Sequence, residues 1–167
     1  MLVHDSASML VEFTESLSPG LIDQALLLFG ASIHDIGKAV HLAELVGSGA
    51  EHETAGLKLL ADAGVGPDQR RFARTHAHWQ EEGATLEDLA VALADKVWKG
   101  KREDELELVI AHRLASESGL DRWDVYAQLG EKLDLWVQDA PRRLAWQARF
   151  GPQPPSRGLA EDWGEDR

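Results

Sequence analysis

The chain has no cysteine, which removes disulfide frameworks, zinc ribbons, iron–sulfur clusters and thiolate nucleophiles together. Any metal must therefore sit among nitrogen and oxygen ligands. No run approaches the roughly 18 uncharged apolar residues of a membrane span. The first residues, with His4, Asp5, Glu12 and Glu15, lack the basic-then-apolar order of a secretory signal, so the expected compartment is the cytoplasm. Positive charge is scarce: 17 Lys and Arg stand against 29 Asp and Glu, a formal charge of -12. That balance argues against a general nucleic-acid groove, because phosphate backbones are held by broad basic surfaces. A small anionic substrate held by a local basic cluster remains open. Strand-type alternation and internal repeats are missing as well.

What is present reads as helix. With 167 residues, 44% of them hydrophobic, the chain can bury one core and is too short for two ordinary domains. Val3, Ala7, Leu10, Thr14 and Leu17 keep helical spacing until Ser18-Pro19-Gly20. Residues 21–33 follow, apolar on most sides through Ala25-Leu26-Leu27-Leu28-Phe29, the mark of a central buried helix. Gly37 permits a break, 39–46 forms a short helix, and Gly47-Ser48-Gly49 is a loop. His52 opens a helix to about 63, and 68–78 forms another. Thr85 with Asp88 three residues on is a capping box, opening a helix through Leu89, Val91, Leu93, Val97 and Trp98. Segments 103–117 and 121–139 close the bundle. The expectation is an all-α single domain over 1–150, followed by a disordered Pro-rich and acidic tail over 151–167.

The residues that carry chemistry are polar groups set into these helices. His34 and Asp35 stand side by side at a helix end, with His4 before them and His52, His76 and Asp95 after. Neighbours on a helix point about 100 degrees apart, so a doublet serves one metal most easily where the backbone turns. Small Gly30 and Ala31, one turn earlier, let another helix come close, a route by which His4 could reach the site. Asp95 lies in an apolar helix, where an ionised carboxylate costs several kcal/mol unless it is paired or metal-bound.

Each feature also has an ordinary structural reading. Asp95 paired with Lys99 one turn on is a common surface arrangement. His41 and His112 read as hydrogen-bonded structural histidines. His76 and His78 are about 200 degrees apart on a helix and can both be ligands only if the helix stops between them. Lys99, Lys101 and Arg102 form a solvated helix end favoured by the dipole, Arg70, Arg71 and Arg74 a wet face, and the six tryptophans core and interface material.

Taken in order, His4, then His34-Asp35-Ile36-Gly37-Lys38, then Ala94-Asp95-Lys96 resembles the HD-domain superfamily of metal-dependent phosphohydrolases over about residues 2–102. The resemblance implies an HD-type helical bundle with His4, His34, Asp35 and Asp95 binding one metal. In branches with two metals two more histidines join, and His52 in His52-Glu53-Thr54-Ala55-Gly56 and His76 in Arg74-Thr75-His76 look like them. Residues 85–95 and the basic residues after them look most like the branch that cleaves dinucleoside tetraphosphates symmetrically. A shell of this kind suits one or two ions of Fe, Mn, Co or Zn, with Asp35 the natural bridge. Lys38 is expected to act on the transferring phosphoryl group. Lys99, Lys101, Arg102 and His78 are expected to contact the substrate, a nucleotide or similar small phosphorylated molecule. Some HD-fold proteins use the same ligands for a mixed-valent di-iron oxygenase, and a non-catalytic nucleotide sensor is a third reading.

Overall fold

The computed structural model describes residues 3–45 and 47–150. Within them the fold is an all-α, single-domain bundle of nine helices: α1 Val3–Leu17, α2 Gln24–Ile33, α3 Glu51–Asp62, α4 Pro67–Arg70, α5 Phe72–Thr75, α6 Leu86–Trp98, α7 Asp104–Ser118, α8 Arg122–Gln138 and α9 Ala140–Phe150. No described residue lies in a strand. No helix is long and apolar enough to cross a membrane among the described residues. The tail expected to be disordered, 151–167, lies outside them.

Helix α6 is the axis. Eleven of its 13 residues are buried, and it packs against α1, α2, α5, α7, α8 and α9. The capping box that opens it is present: Thr85 Oγ1 accepts from Asp88 N at 3.3 Å, and Asp88 Oδ2 accepts from Thr85 N at 3.0 Å. The central place that the apolar run suggested for α2 is therefore corrected. That helix buries Leu27, Gly30 and Ala31, while Asp23, Gln24 and Ala25 are exposed. Its length of apolar sequence exceeds the face that its neighbours cover.

Two predicted helices are replaced by tighter structure. Of the short helix expected over 39–46, the described residues 39–45 hold no α-helix; Ile36–Ala39 and Leu42–Leu45 are single 3-10 turns. Residues 68–78 break into α4 and α5, each one turn long, with Arg71 between them and Thr75 at the end. A buried network holds these turns to α6. Arg71 Nε donates to Asp88 Oδ1 and Oδ2 at 2.9 and 3.1 Å, and Thr75 Oγ1 donates to Asp88 Oδ1 at 2.7 Å. Arg71 is thus a structural clamp rather than a wet face.

Close approach, not turn freedom, explains the glycines near the doublet. A Cβ on Gly37 would lie 1.8 Å from His52 O and 2.6 Å from Gly56 N, so this glycine lets the first 3-10 turn sit on α3. A Cβ on Gly30 would lie 2.7 Å from the Phe72 ring, so the small residue of α2 admits α5 rather than α1. At the far end α7 and α8 pack through buried Leu106, Ile110, Leu114, Val125, Leu129 and Leu133. Helix α9, which the apolar pattern did not single out, is tied back to α6 by fully buried Arg143. Its guanidinium donates to Trp136 O at 2.7 Å, Val97 O at 3.0 Å and Trp98 O at 3.3 Å.

Candidate metal centre

Four elements converge on Asp35. It follows α2 and His34, so the doublet sits where the helix gives way to the 3-10 turn. His52 comes from the first turn of α3, His76 from the residue after α5, and Asp95 from the last turn of α6. Asp35 Oδ1 lies 3.3 Å from His52 Nε2 and 3.7 Å from His76 Nε2. Asp35 Oδ2 lies 3.5 Å from His34 Nε2, which is itself 3.5 Å from Asp95 Oδ1. Two three-residue donor groups result, Asp35 with His52 and His76, and His34 with Asp35 and Asp95, each with its ligand atoms within 4.8 Å of one another. They share Asp35.

The chemistry of the donors fits divalent metal. His34 Nδ1 is 2.9 Å from Ala31 O, His76 Nδ1 is 2.9 Å from Phe72 O, and His52 Nδ1 meets Glu44 Oε2. An acceptor at each Nδ1 places the proton there and leaves the Nε2 lone pair facing inward, the arrangement that ligating histidines use. His34 Nε2, His52 Nε2 and Asp95 Oδ1 are buried without a hydrogen-bond partner. Unpartnered buried polar atoms are rare and costly, and cations held in the two donor groups would satisfy them.

The electrostatics show what occupies that place without metal. Burial alone would depress the His34 imidazole, but the Asp35 and Asp95 carboxylates facing it outweigh burial and raise it to about 9. Burial pushes the Asp35 carboxyl up, and His34 with Lys38 overcome this and hold it well below the usual carboxylate range. Asp95 is likewise pushed up by burial and pulled down to about 2 by His34 and Lys99. Burial and the His34 charge lower His76 to about 4 against the pull of Asp35. A proton on His34 thus stands in for a cation between two carboxylates.

The basic residues divide. Lys38 Nζ is 2.6 Å from Asp35 Oδ2, and Lys99 Nζ is 2.7 Å from Asp95 Oδ2. Both line the cleft over these donor groups. Asp95 therefore combines the two sequence readings, buried and paired with Lys99. Lys101 is exposed and does not line this cleft. Arg102 turns away from it: its guanidinium meets buried Glu107, at 2.8 Å from Nε to Oε1, and Asp134. His78 points to another face, with Nε2 2.8 Å from Glu53 Oε2. His76 faces inward to Asp35 and His78 outward to Glu53, the opposite directions expected of residues about 200 degrees apart on a helical turn. His4 is 43% exposed, 4.0 Å from Asp5, and is not among the grouped donors.

Two contributors were invisible in the sequence. Glu44 accepts from His52 Nδ1 and from the backbone of Glu51 at 3.1 Å, so it both orients a ligand and starts α3. Lys96 lines the cleft beside Lys99 while pairing with Glu103 at 3.0 Å. Neither spacing is periodic. A third group, His41, Glu44 and Glu51, also brings donors together, but Glu51 is 79% exposed and Glu44 is committed to His52.

Residues 5–98, more than half of the chain, match the HD domain. The chain belongs to the HD-domain family. No curated protein and no solved structure matches it. His34, Asp35, His52, His76 and Asp95 all lie within the matched segment, and His4 lies one residue outside it. A helical HD domain with clustered His and Asp donors is consistent with metal-dependent hydrolysis in general.

Proposed function

We propose that this HD domain hydrolyses a phosphoester or phosphoanhydride bond in a small phosphorylated substrate, a nucleotide or similar molecule, using two divalent transition-metal ions. The observation that carries this reading is the division of the donors by Asp35, one carboxylate oxygen facing His52 and His76 and the other facing His34 beside Asp95. His34, Asp35 and Asp95 would hold one ion and Asp35, His52 and His76 the other; a role for His4 rests on the family pattern alone. Divalent ions in such a shell supply Lewis-acid polarisation of the phosphoryl group and a more acidic water.

The chain's own residues supply the rest. Lys38, held on Asp35, neutralises charge that develops on the transferring phosphoryl oxygens. Lys99, held on Asp95, binds the phosphate in ground and transition state alike. Glu44 keeps the His52 proton on Nδ1 so that Nε2 can bind metal. The two lysines at the mouth favour an anionic substrate over the oxygenase chemistry that the same ligands could support. The test is phosphate release from nucleotides and other phosphate esters by protein loaded with Mn, Fe, Co or Zn in turn. Release that disappears on chelation supports the reading. Oxygen consumption by the iron-loaded protein with no phosphate release under any metal replaces it.

A further inference from the structure

We infer that the cleft over the metal ligands has an apolar arm for the organic group of the substrate, and that Leu144 and Gln147 of α9 determine which group it accepts. The inference rests on the phosphohydrolase reading and adds to it the class of substrate: a phosphate ester of one compact, flat, largely apolar group. A cleft of about 370 Å³ is walled by Val3, Leu45, Trp98, Leu144 and Gln147. Its other end is bounded by Asp35, Lys38, Asp95 and Lys99, and these four also bound the neighbouring cleft that contains His52 and His76. A phosphate at the shared end therefore has its ester group beside the arm.

The arm's chemistry selects that group. Four of its five wall residues are aliphatic or aromatic; Gln147 offers an amide, and Trp98 an indole N–H that is buried without a hydrogen-bond partner. A polyol drawn in would lose water from several hydroxyls with at most one amide and one N–H to replace it. A flat ring would gain from burial instead. The volume lies near the low end of small-ligand sites, which run from about 300 to 1,000 Å³, so the arm holds one compact group. Val3, Leu144 and Gln147 fall outside the segment that matches the HD domain, and Leu45 and Trp98 within it.

Helix α9 is fixed over the cleft rather than resting there loosely. Arg143, next to Leu144, is buried and bonds the carbonyls of Val97 and Trp98, two and three residues past Asp95. A Cβ on Gly100 would lie 2.7 Å from Ala140 Cβ, so the start of α9 is in contact with the end of α6. Leu144 and Gln147 are three residues apart and share a helix face. Both are exposed, so changing them leaves the core intact.

Calorimetric titration of the metal-loaded full chain with phenylphosphonate and with methylphosphonate separates the arm from the phosphate site, since neither ligand needs turnover. The expected result is that phenylphosphonate binds about tenfold or more tightly. Leu144→Ala should shrink that ratio about threefold or more with methylphosphonate affinity unchanged, and Gln147→Leu should enlarge it. Loss of both affinities together in Leu144→Ala would mark a general structural effect and overturn the assignment, as would an unchanged ratio. Equal binding of the two ligands by the unaltered protein overturns the arm and leaves the phosphohydrolase reading standing. If metal is bound and neither phosphonate binds, that reading fails and takes the arm with it.

Discussion

Asp35 presents one oxygen to His52 and His76 and the other to His34, and its neighbours decide what each substitution should do. His52→Ala removes a ligand from only one set, so bound metal should fall from about two ions per chain to about one by elemental analysis; an unchanged count would mean that His52 is not a ligand. Lys38→Ala should lower kcat about a hundredfold with little change in KM, whereas Lys99→Ala should raise KM about tenfold with kcat largely kept; steady-state kinetics with the best phosphate ester would reveal the opposite split if the roles were exchanged. Arg102 belongs to neither set. Its loss would strand Glu107, which is fully buried, so Arg102→Ala should cost about 3 kcal/mol and about 6 to 12 °C in Tm. A mutant with normal Tm and raised KM would return Arg102 to the substrate. At this scale the doublet was legible because its two residues adjoin in sequence. The choice of His76 over His78 was not, because it depends on which side of that turn packs toward Asp35.

Helices bring these residues together only where small side chains let them touch. The 3-10 turn after the doublet lies on α3 across Gly37, and a Cβ added at Gly56 would lie 3.3 Å from Gly37 N and 3.1 Å from Ala73 Cβ. A methyl group at Gly37 would meet backbone rather than a movable side chain, so Gly37→Ala should separate the doublet from His52. Both Tm and metal affinity should fall, while Gly66→Ala, whose added Cβ meets nothing within 4 Å, should leave metal affinity unchanged. Thermal melts and metal titration of the two variants check this, and normal metal binding by Gly37→Ala would sink it. The capping box of α6 and the periodicity of α1, α3, α7 and α8 could be read from sequence because they are local. The breaks within 36–45 and 67–75 follow from packing against α3 and from the Asp88 network, which join residues far apart in the chain.

For the molecule as a whole, the proposed metal site would set proton and cation in competition for one place. His34 stands at about 9 against an ordinary 6.5. A histidine raised on folding stabilises the fold fully below its unfolded value, and that contribution is lost as pH rises through the folded one. The metal-free protein should therefore lose this contribution between pH 6.5 and 9. A cation meets less proton competition over the same window and stabilises the folded state by mass action. The gap in Tm between metal-loaded and chelator-stripped protein should widen as pH climbs from 6.5 to 9. A gap that stays constant or narrows would show that cation and proton do not share the site.

By itself the sequence determined the helical class, the absence of thiolate ligands and the doublet with its distant aspartate, because composition, 3.6-residue periodicity and adjacency are properties of the chain as written. Only the tertiary structure decided that α6 rather than α2 is the axis, that Glu44 orients His52, that Arg102 is bound to Glu107, and that α9 overhangs the cleft. Each of these depends on which surfaces meet, and contact between residues as remote as Arg143 and Val97 leaves no period or spacing in a single sequence.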